Sequence, residues 1–255
     1  MTEEGILFHA KHAFMPNSLG YCGPDENAKM LSGLQSGKSG DGLVNTLEKF
    51  EAAYPFLKLI ARSNGRNVFD YSVPEAYWIG NSLLRQVPHS EFYTFSHREL
   101  QRKDRERTRE LFRQLDGSAL PHHTFYVMST YVASTATDGP SPGNERQRKL
   151  AELVDNCRIS WGKVVRVRKR ELDVIGRPVK FEDGMLALGP PARKLVGYNP
   201  DVRPFGRVKT GDTVSVHWNY ACDLLTRRQE RNIARYTESD LSLINRFLEV
   251  KSKGV

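Results

Sequence analysis

The sequence predicts an α+β protein with a helical N-terminal half, a small β-barrel-like region and a C-terminal helix. Three observations carry that expectation. Apolar residues recur at helical spacing through much of the first half, short branched and aromatic runs separated by glycine and proline follow from Cys157, and an amphipathic helical pattern closes the chain from Leu224. The regions are drawn at 1–120 (mainly helical), 121–223 (β-rich and barrel-like) and 224–255 (a C-terminal helix packing back on the body).

Taken in order, Gly5 to Pro16 has no clear pattern but carries His9, His12 and Phe14; on a helix its two histidines would share a face. Leu19 to Glu26 reads Leu-Gly-Tyr-Cys-Gly-Pro-Asp-Glu. Its cysteine sits between two glycines and before a proline and two acids of the kind that open a helix. Asp25 to Leu34 follows with Ala28, Met30, Leu31 and Leu34 at helical spacing, and Ser36 to Gly42 is a Gly- and Ser-rich loop. The Gly37-Lys38-Ser39 triplet in that loop is no phosphate loop. Ser32 stands where the motif needs its first glycine, and no apolar strand precedes it.

Leu43 to Arg62 keeps a helical period, which Pro55 should kink or split. Val73 to Val87 reads as a helix with Pro74 in its first turn, and Glu75 and Asn81 stand among aromatics. Ser90 to Leu115 reads as a third helical region. Between Arg98 and Arg113 it sets seven cations against four acids, and charges so mixed in sign normally make a solvated face laced with ion pairs. His122 to Met128 reads as a strand, Thr135 to Asn144 as a polar loop and Glu145 to Asn156 as a short helix. Five short strands are expected at Cys157 to Val167, Leu172 to Phe181, Met185 to Leu188, Lys194 to Tyr198 and Thr213 to Trp218, which suggests a small barrel. Leu224 to Val250 is the closing helix.

Bulk composition narrows the function. With hydrophobic residues at 39% and charged residues at 27%, the chain lies near globular averages, so it is not a disordered protein. Its 255 residues can bury a proper core without staples. No apolar run approaches the roughly 18 residues of a membrane helix, and the chain opens on acids, so it is expected to be soluble, unexported and not inserted in membrane. The three cysteines, Cys22, Cys157 and Cys222, are too few and too widely spaced for a disulfide framework, which points to a reducing cytoplasm. The net charge of +8 is spread among 30 acids and lacks interleaved exposed aromatics, so nucleic acid is an unlikely partner.

Two kinds of chemistry suit the residues. A thiol at a helix start is biased toward thiolate, so Cys22 is a candidate nucleophile, with His122, His123 or His217 on expected strands as its base. Papain-like folds use that arrangement. Glu75, among Tyr77 and Trp78, is a further candidate acid or base, although an ordinary helix-start carboxylate explains it as well. The alternative chemistry is a metal site, for which His9, His12, Cys22, Cys157, His217 and Cys222 supply nitrogen and sulfur ligands suited to nickel, iron or zinc. None of their spacings is a metal signature. Taken singly, each histidine is explained as a hydrogen-bonded core or surface residue, and Cys22 as a small residue in a tight turn. The alternation of Val164, Arg166 and Arg168 with Val165 and Val167 is that of a barrel strand with a basic solvated face.

Five segments together carry a resemblance: Gly20-Tyr21-Cys22-Gly23-Pro24, Glu75-Ala76-Tyr77-Trp78-Ile79-Gly80-Asn81, Pro121-His122-His123, Cys157-Arg158-Ile159-Ser160-Trp161-Gly162, and His217-Trp218 followed by Cys222-Asp223-Leu224. They resemble an uncharacterised bacterial family often encoded beside [NiFe] hydrogenases and their maturation factors. The chain departs from it after Val132, where a polar loop replaces the apolar continuation expected. The resemblance implies a cytoplasmic accessory role around a nickel–iron enzyme, with hydrogenase subunits or maturation proteins as partners, and it directs attention to the same cysteines and histidines. The expectation is therefore a soluble accessory protein with a Cys and His site that serves hydrogenase assembly or metal handling. The rivals are a cysteine-nucleophile amidase or acyltransferase, and a basic module binding acidic protein or nucleic acid through the Arg98 to Arg113 and Arg166 to Arg170 stretches.

Overall fold

In the computed structural model, which describes residues 2–99, 117–135, 145–203 and 205–252, the helical half begins at once. Helix α1 spans Glu3–Ser18, where the sequence had no clear pattern. Thr2 caps it by accepting from the Gly5 N–H at 3.2 Å, and Glu3 and Glu4 complement its positive end. Its pattern is hard to read because it is buried nearly all round: Ile6, Phe8, His9, Ala10, His12 and Ala13 are all inside. Gly5 lets it lie against the next layer, since a Cβ there would stand 2.1 Å from the Phe69 carbonyl oxygen.

Helices α2 (Asn27–Ser36), α3 (Asp41–Glu48) and α4 (Tyr54–Ser63) follow, and Pro55 opens α4, splitting the long pattern as expected. The Val73 to Val87 stretch forms a shorter helix, α5 (Ser72–Trp78), then a 3-10 turn over Ser82–Gln86. Gly80 separates them at φ +91°, where a Cβ would meet the Tyr236 ring at 2.1 Å. Helix α6 spans His89–Glu99; the charged stretch beyond it, and the polar loop at 136–144, lie outside the described residues.

Two expectations are corrected. His122 to Met128 is no strand but the start of helix α7 (His123–Thr135). Branched and aromatic residues fit a strand in isolation, yet here Phe125, Val127, Met128 and Val132 are all buried in the main core, as a helix enclosed by others requires. Cys157 likewise ends a helix, α8 (Glu145–Cys157), and strand β1 starts only at Ser160.

The strands are β1 (Ser160–Val167), β2 (Glu171–Gly176), β3 (Val179–Glu182), β4 (Met185–Leu188), β5 (Ala192–Gly197), β6 (Thr213–His217) and β7 (Tyr220–Leu224). Five of them close a barrel in the order β1-β2-β5-β7-β6, and β3 with β4 forms a separate hairpin. All barrel pairings are antiparallel except β5 with β7. Counted in barrel order the strands run first, second, third, fifth, fourth, with the first closing on the fourth, which is the connectivity of an OB-type Greek-key barrel. A barrel of five was expected, but with different members. The Leu172 to Phe181 run divides between β2 and β3, and β7 occupies a stretch read as a junction before the closing helix, α9 (Arg227–Ser252). No described helix is long and apolar enough to cross a membrane.

The helices and the β3-β4 hairpin share one core, and the barrel interior has its own, built on Val164, Leu172, Val174, Val196, Val214 and Val216. Helix α1 packs against α5 on one side and against β6 and β7 on the other. That placement puts the face of α1 carrying His9 and His12 between helical body and barrel.

Candidate functional site

Trp78, at the end of α5, is the centre of this seam. Four imidazoles surround its indole: His9 at 5.5 Å between ring centroids, His12 at 5.8 Å, His123 at 4.5 Å and His217 at 5.7 Å. They come from α1, α7 and β6. All four are buried, and burial, which penalises the charged ring, lowers their pKa: to about 3 for His9 and His12, to about 4 for His217, and well below the usual value for His123. Each ring therefore carries one proton and one lone pair at neutral pH. Where the proton sits decides what each can do.

The Trp78 indole N–H donates to His9 Nδ1 at 2.8 Å, which consumes the His9 lone pair. The carbonyl of Phe8 lies 2.9 Å from His12 Nδ1 and must be receiving its proton, so His12 Nε2 accepts from the Ser215 hydroxyl at 3.0 Å. Both α1 histidines are thus engaged through their lone pairs. His217 is different. Its Nδ1 faces the His12 carbonyl at 2.7 Å and donates there, and the remaining Nε2 is buried with no hydrogen-bond partner among the described residues, although the Cys157 carbonyl also bears on the ring.

One ligand atom from each of His123, Cys157 and His217 lies within 4.8 Å of the other two. Helix α7, the last residue of α8 and the end of β6 converge there. Tyr77 donates its hydroxyl to the Ala52 carbonyl at 2.9 Å and lies 3.1 Å from His123 Nδ1, while His123 Nε2 lies 2.9 Å from the Cys157 carbonyl. A neutral ring satisfies both sides only if Tyr77 gives up Ala52. With the proton on Nδ1 instead, the chain His123 to Tyr77 to Ala52 is complete, but the Nε2 lone pair then faces the Cys157 carbonyl oxygen, so Nε2 ligates only if the ring or that carbonyl turns aside.

The Cys157 thiol is half-buried, and burial raises its pKa to about 11 even though the Tyr131 hydroxyl and the Trp218 indole lie against the sulfur and favour thiolate. Trp218 holds its place at a backbone cost. It and Asn219 form the two-residue β6-β7 turn with φ of 50° and 58°, a left-handed geometry that suits asparagine and is unusual for tryptophan. Tyr21, 62% exposed, stacks on Trp218 at 4.0 Å and 17°, placing an aromatic cover beside the thiol.

The remaining expected residues fall outside the three-residue cluster, although Cys22 lies near enough to Cys157 and Tyr77 to interact with both. Cys22 is in an irregular turn ahead of Asn27, where α2 begins, so no helix end favours its thiolate; burial raises it to about 12, with Cys157 adding to the shift. Among the described residues no histidine hydrogen-bonds its sulfur. Cys222 is buried, its thiol raised by burial and directed to the Tyr220 carbonyl at 3.4 Å. His122 pairs with Asp240 of α9 at 2.6 Å. Burial raises Asp240, and His122 and the Phe125 N–H at the start of α7 oppose that shift. Glu75 is a buried clamp between α5 and α9: Asn81, Gln229 and Arg228 donate to its oxygens at 2.9, 3.1 and 2.8 Å. No local pattern singles out Trp78, Tyr131 or Asp240, although Trp78 and Trp218 stand inside the segments quoted for the resemblance.

An α+β protein with an OB-type barrel and a buried cluster of two imidazoles and a thiol at its seam is the class that fold and site define. The chain belongs to the family of unknown function DUF6390, whose model matches residues 1–251. No curated protein and no solved structure matches it.

Proposed function

We propose that this protein binds a transition-metal ion through His123, Cys157 and His217. The observation that carries the reading is His217 Nε2, a buried lone pair without a hydrogen-bond partner among the described residues, oriented by the Nδ1–H donation to the His12 carbonyl, with the other two donors beside it. Metal-ligating histidines are held in this way, through a hydrogen bond from the second ring nitrogen to a carbonyl. The ligand atoms need move little, since donors around tetrahedral zinc stand about 3.5 Å apart. Two imidazoles and one thiolate suit zinc or nickel, and a fourth position stays open for water or a transferred ligand.

The resemblance to proteins encoded beside [NiFe] hydrogenases supports a role in metal handling or assembly for such an enzyme, with its subunits or maturation proteins as partners. The rival enzyme reading, with Cys22 as nucleophile, gains no support from a thiol raised to about 12 that no histidine among the described residues hydrogen-bonds.

The test is elemental analysis of protein purified without a metal-affinity tag and after reconstitution with nickel, ferrous iron or zinc, comparing wild type with Cys157→Ser, His217→Ala and Cys22→Ser. Near-stoichiometric metal that falls in the first two variants and persists in the third is the expected outcome. Cobalt substitution should add thiolate charge-transfer absorption that Cys157→Ser abolishes. A wild type that takes up none of the metals overturns the reading.

A further inference from the structure

A second cleft, of about 220 Å³, opens at the end of the barrel where β1 and β5 begin and β2 ends. Val174 and Val216, both barrel-core side chains, line it together with Trp161, Arg177, Arg193 and Lys194. Barrel mouths are common ligand sites, and this volume falls below the roughly 300–1,000 Å³ typical for drug-sized ligands, so the occupant is small.

Charge defines what it takes. Asp155 is the one carboxylate among the lining residues, and it is already engaged. Its Oδ1 accepts from Arg158 Nε at 3.2 Å, from a terminal nitrogen of the same guanidinium at 2.8 Å and from the Val179 N–H at 2.8 Å. Arg158 is fully buried, 5.8 Å from the Trp161 ring, and its other terminal nitrogen has no hydrogen-bond partner among the described residues. Arg177 is fixed in plane, donating to the Gly189 and Leu188 carbonyls at 2.9 and 2.8 Å. Lys194 lies 3.6 Å from Asp155, while Arg193 is 66% exposed and 4.0 Å from Asp173, which Arg168 already holds at 3.0 Å. Three cations, Arg177, Arg193 and Lys194, thus line an apolar floor beside one lining carboxylate, with buried Arg158 behind it and Asp173 only at the reach of Arg193. Such a cleft keeps a net positive charge that suits an anion, and a rigid arginine is suited to phosphate or carboxylate oxygens.

We propose that this barrel mouth is a binding site for a small polyanion bearing phosphate or carboxylate groups, held by Arg177, Arg193 and Lys194. The site is separate from the His123, Cys157 and His217 cluster and does not depend on metal there.

Calorimetric titration of the full chain with inorganic pyrophosphate and with citrate, at fixed ionic strength and against a matched sodium chloride control, tests it. The expected result is saturable binding of at least one of the two at one per chain. Arg193→Ala/Lys194→Ala should weaken it at least tenfold, about 1.4 kcal/mol. Lys58→Ala/Arg66→Ala, which removes equal charge from the exposed surface of the helical half, should leave it unchanged. Binding of pyrophosphate alone assigns a phosphate ligand and binding of citrate alone a carboxylate. Repeating the titration in Cys157→Ser protein separates anion binding from capture of chelated metal. Binding of neither anion, or equal weakening in both double variants, overturns the proposal.

Discussion

His217 donates its Nδ1 proton to the carbonyl of His12, 2.7 Å away, and this contact turns a buried imidazole into a lone pair with nowhere to go. His12 is held in turn by Phe8 and Ser215, so α1 and β6 lock each other's histidines across the seam. Among the rings around Trp78, those whose lone pairs are consumed, His9 and His12, fall outside the three-residue cluster, and His217 falls inside it.

Metal binding should release one proton. His217 is already neutral at neutral pH because burial lowers it to about 4, whereas the Cys157 thiol, raised to about 11, must ionise to ligate. Apparent affinity should rise about tenfold per pH unit between about pH 6 and 8. Calorimetry in two buffers of different ionisation enthalpy counts the proton, and a pH-independent affinity would exclude Cys157 as a ligand.

Acid should unfold the metal-free protein early. His9, His12 and His217 have folded pKa values of about 3, 3 and 4, below the unfolded value of 6.5, so the unfolded state binds more protons below that pH and stability falls as pH drops. Three protons correspond to a slope of about 4 kcal/mol per pH unit. For a total stability of about 5–10 kcal/mol, within the typical range, this places the midpoint near pH 4–5.5. Circular dichroism against pH measures it; a protein still folded below about pH 3.5 would show that these rings titrate normally.

Asp240→Ala should destabilise without touching the cluster. It strips His122 of its buried partner and the Phe125 N–H of an acceptor at the start of α7, the helix that carries His123. Breaking a buried pair costs about 3 kcal/mol or more, a fall in Tm of about 6–12 °C. A fall under about 2 °C would mean that the pair does not hold α7.

Trp218→Asn should leave stability nearly unchanged and open the thiol. Asparagine suits the left-handed turn and relieves strain of about 1–3 kcal/mol, against about 0.5–1.5 kcal/mol lost with the Tyr21 stack. Alkylation of Cys157, followed by peptide mass spectrometry to separate it from Cys22, should become several-fold faster. An unchanged rate would show that Trp218 does not shield the sulfur.

The order of the parts, helices first, a five-strand barrel after Cys157 and a closing amphipathic helix, is legible in local spacing and turn residues. That legibility fails where burial replaces periodicity. Helix α1 is buried nearly all round, polar histidines included, and the start of α7 has strand-like composition, so neither revealed its period. The cysteines and histidines were legible as types, but which of them meet was not. Only the packing of α7 against α8, and the Trp218 N–H bond to the Asn156 carbonyl that joins the end of β6 to α8, brings His217, Cys157 and His123 together, and only the carbonyls and hydroxyls across that seam set each ring's tautomer. Those contacts join residues up to about two hundred positions apart, such as His12 and His217, and no local pattern encodes them.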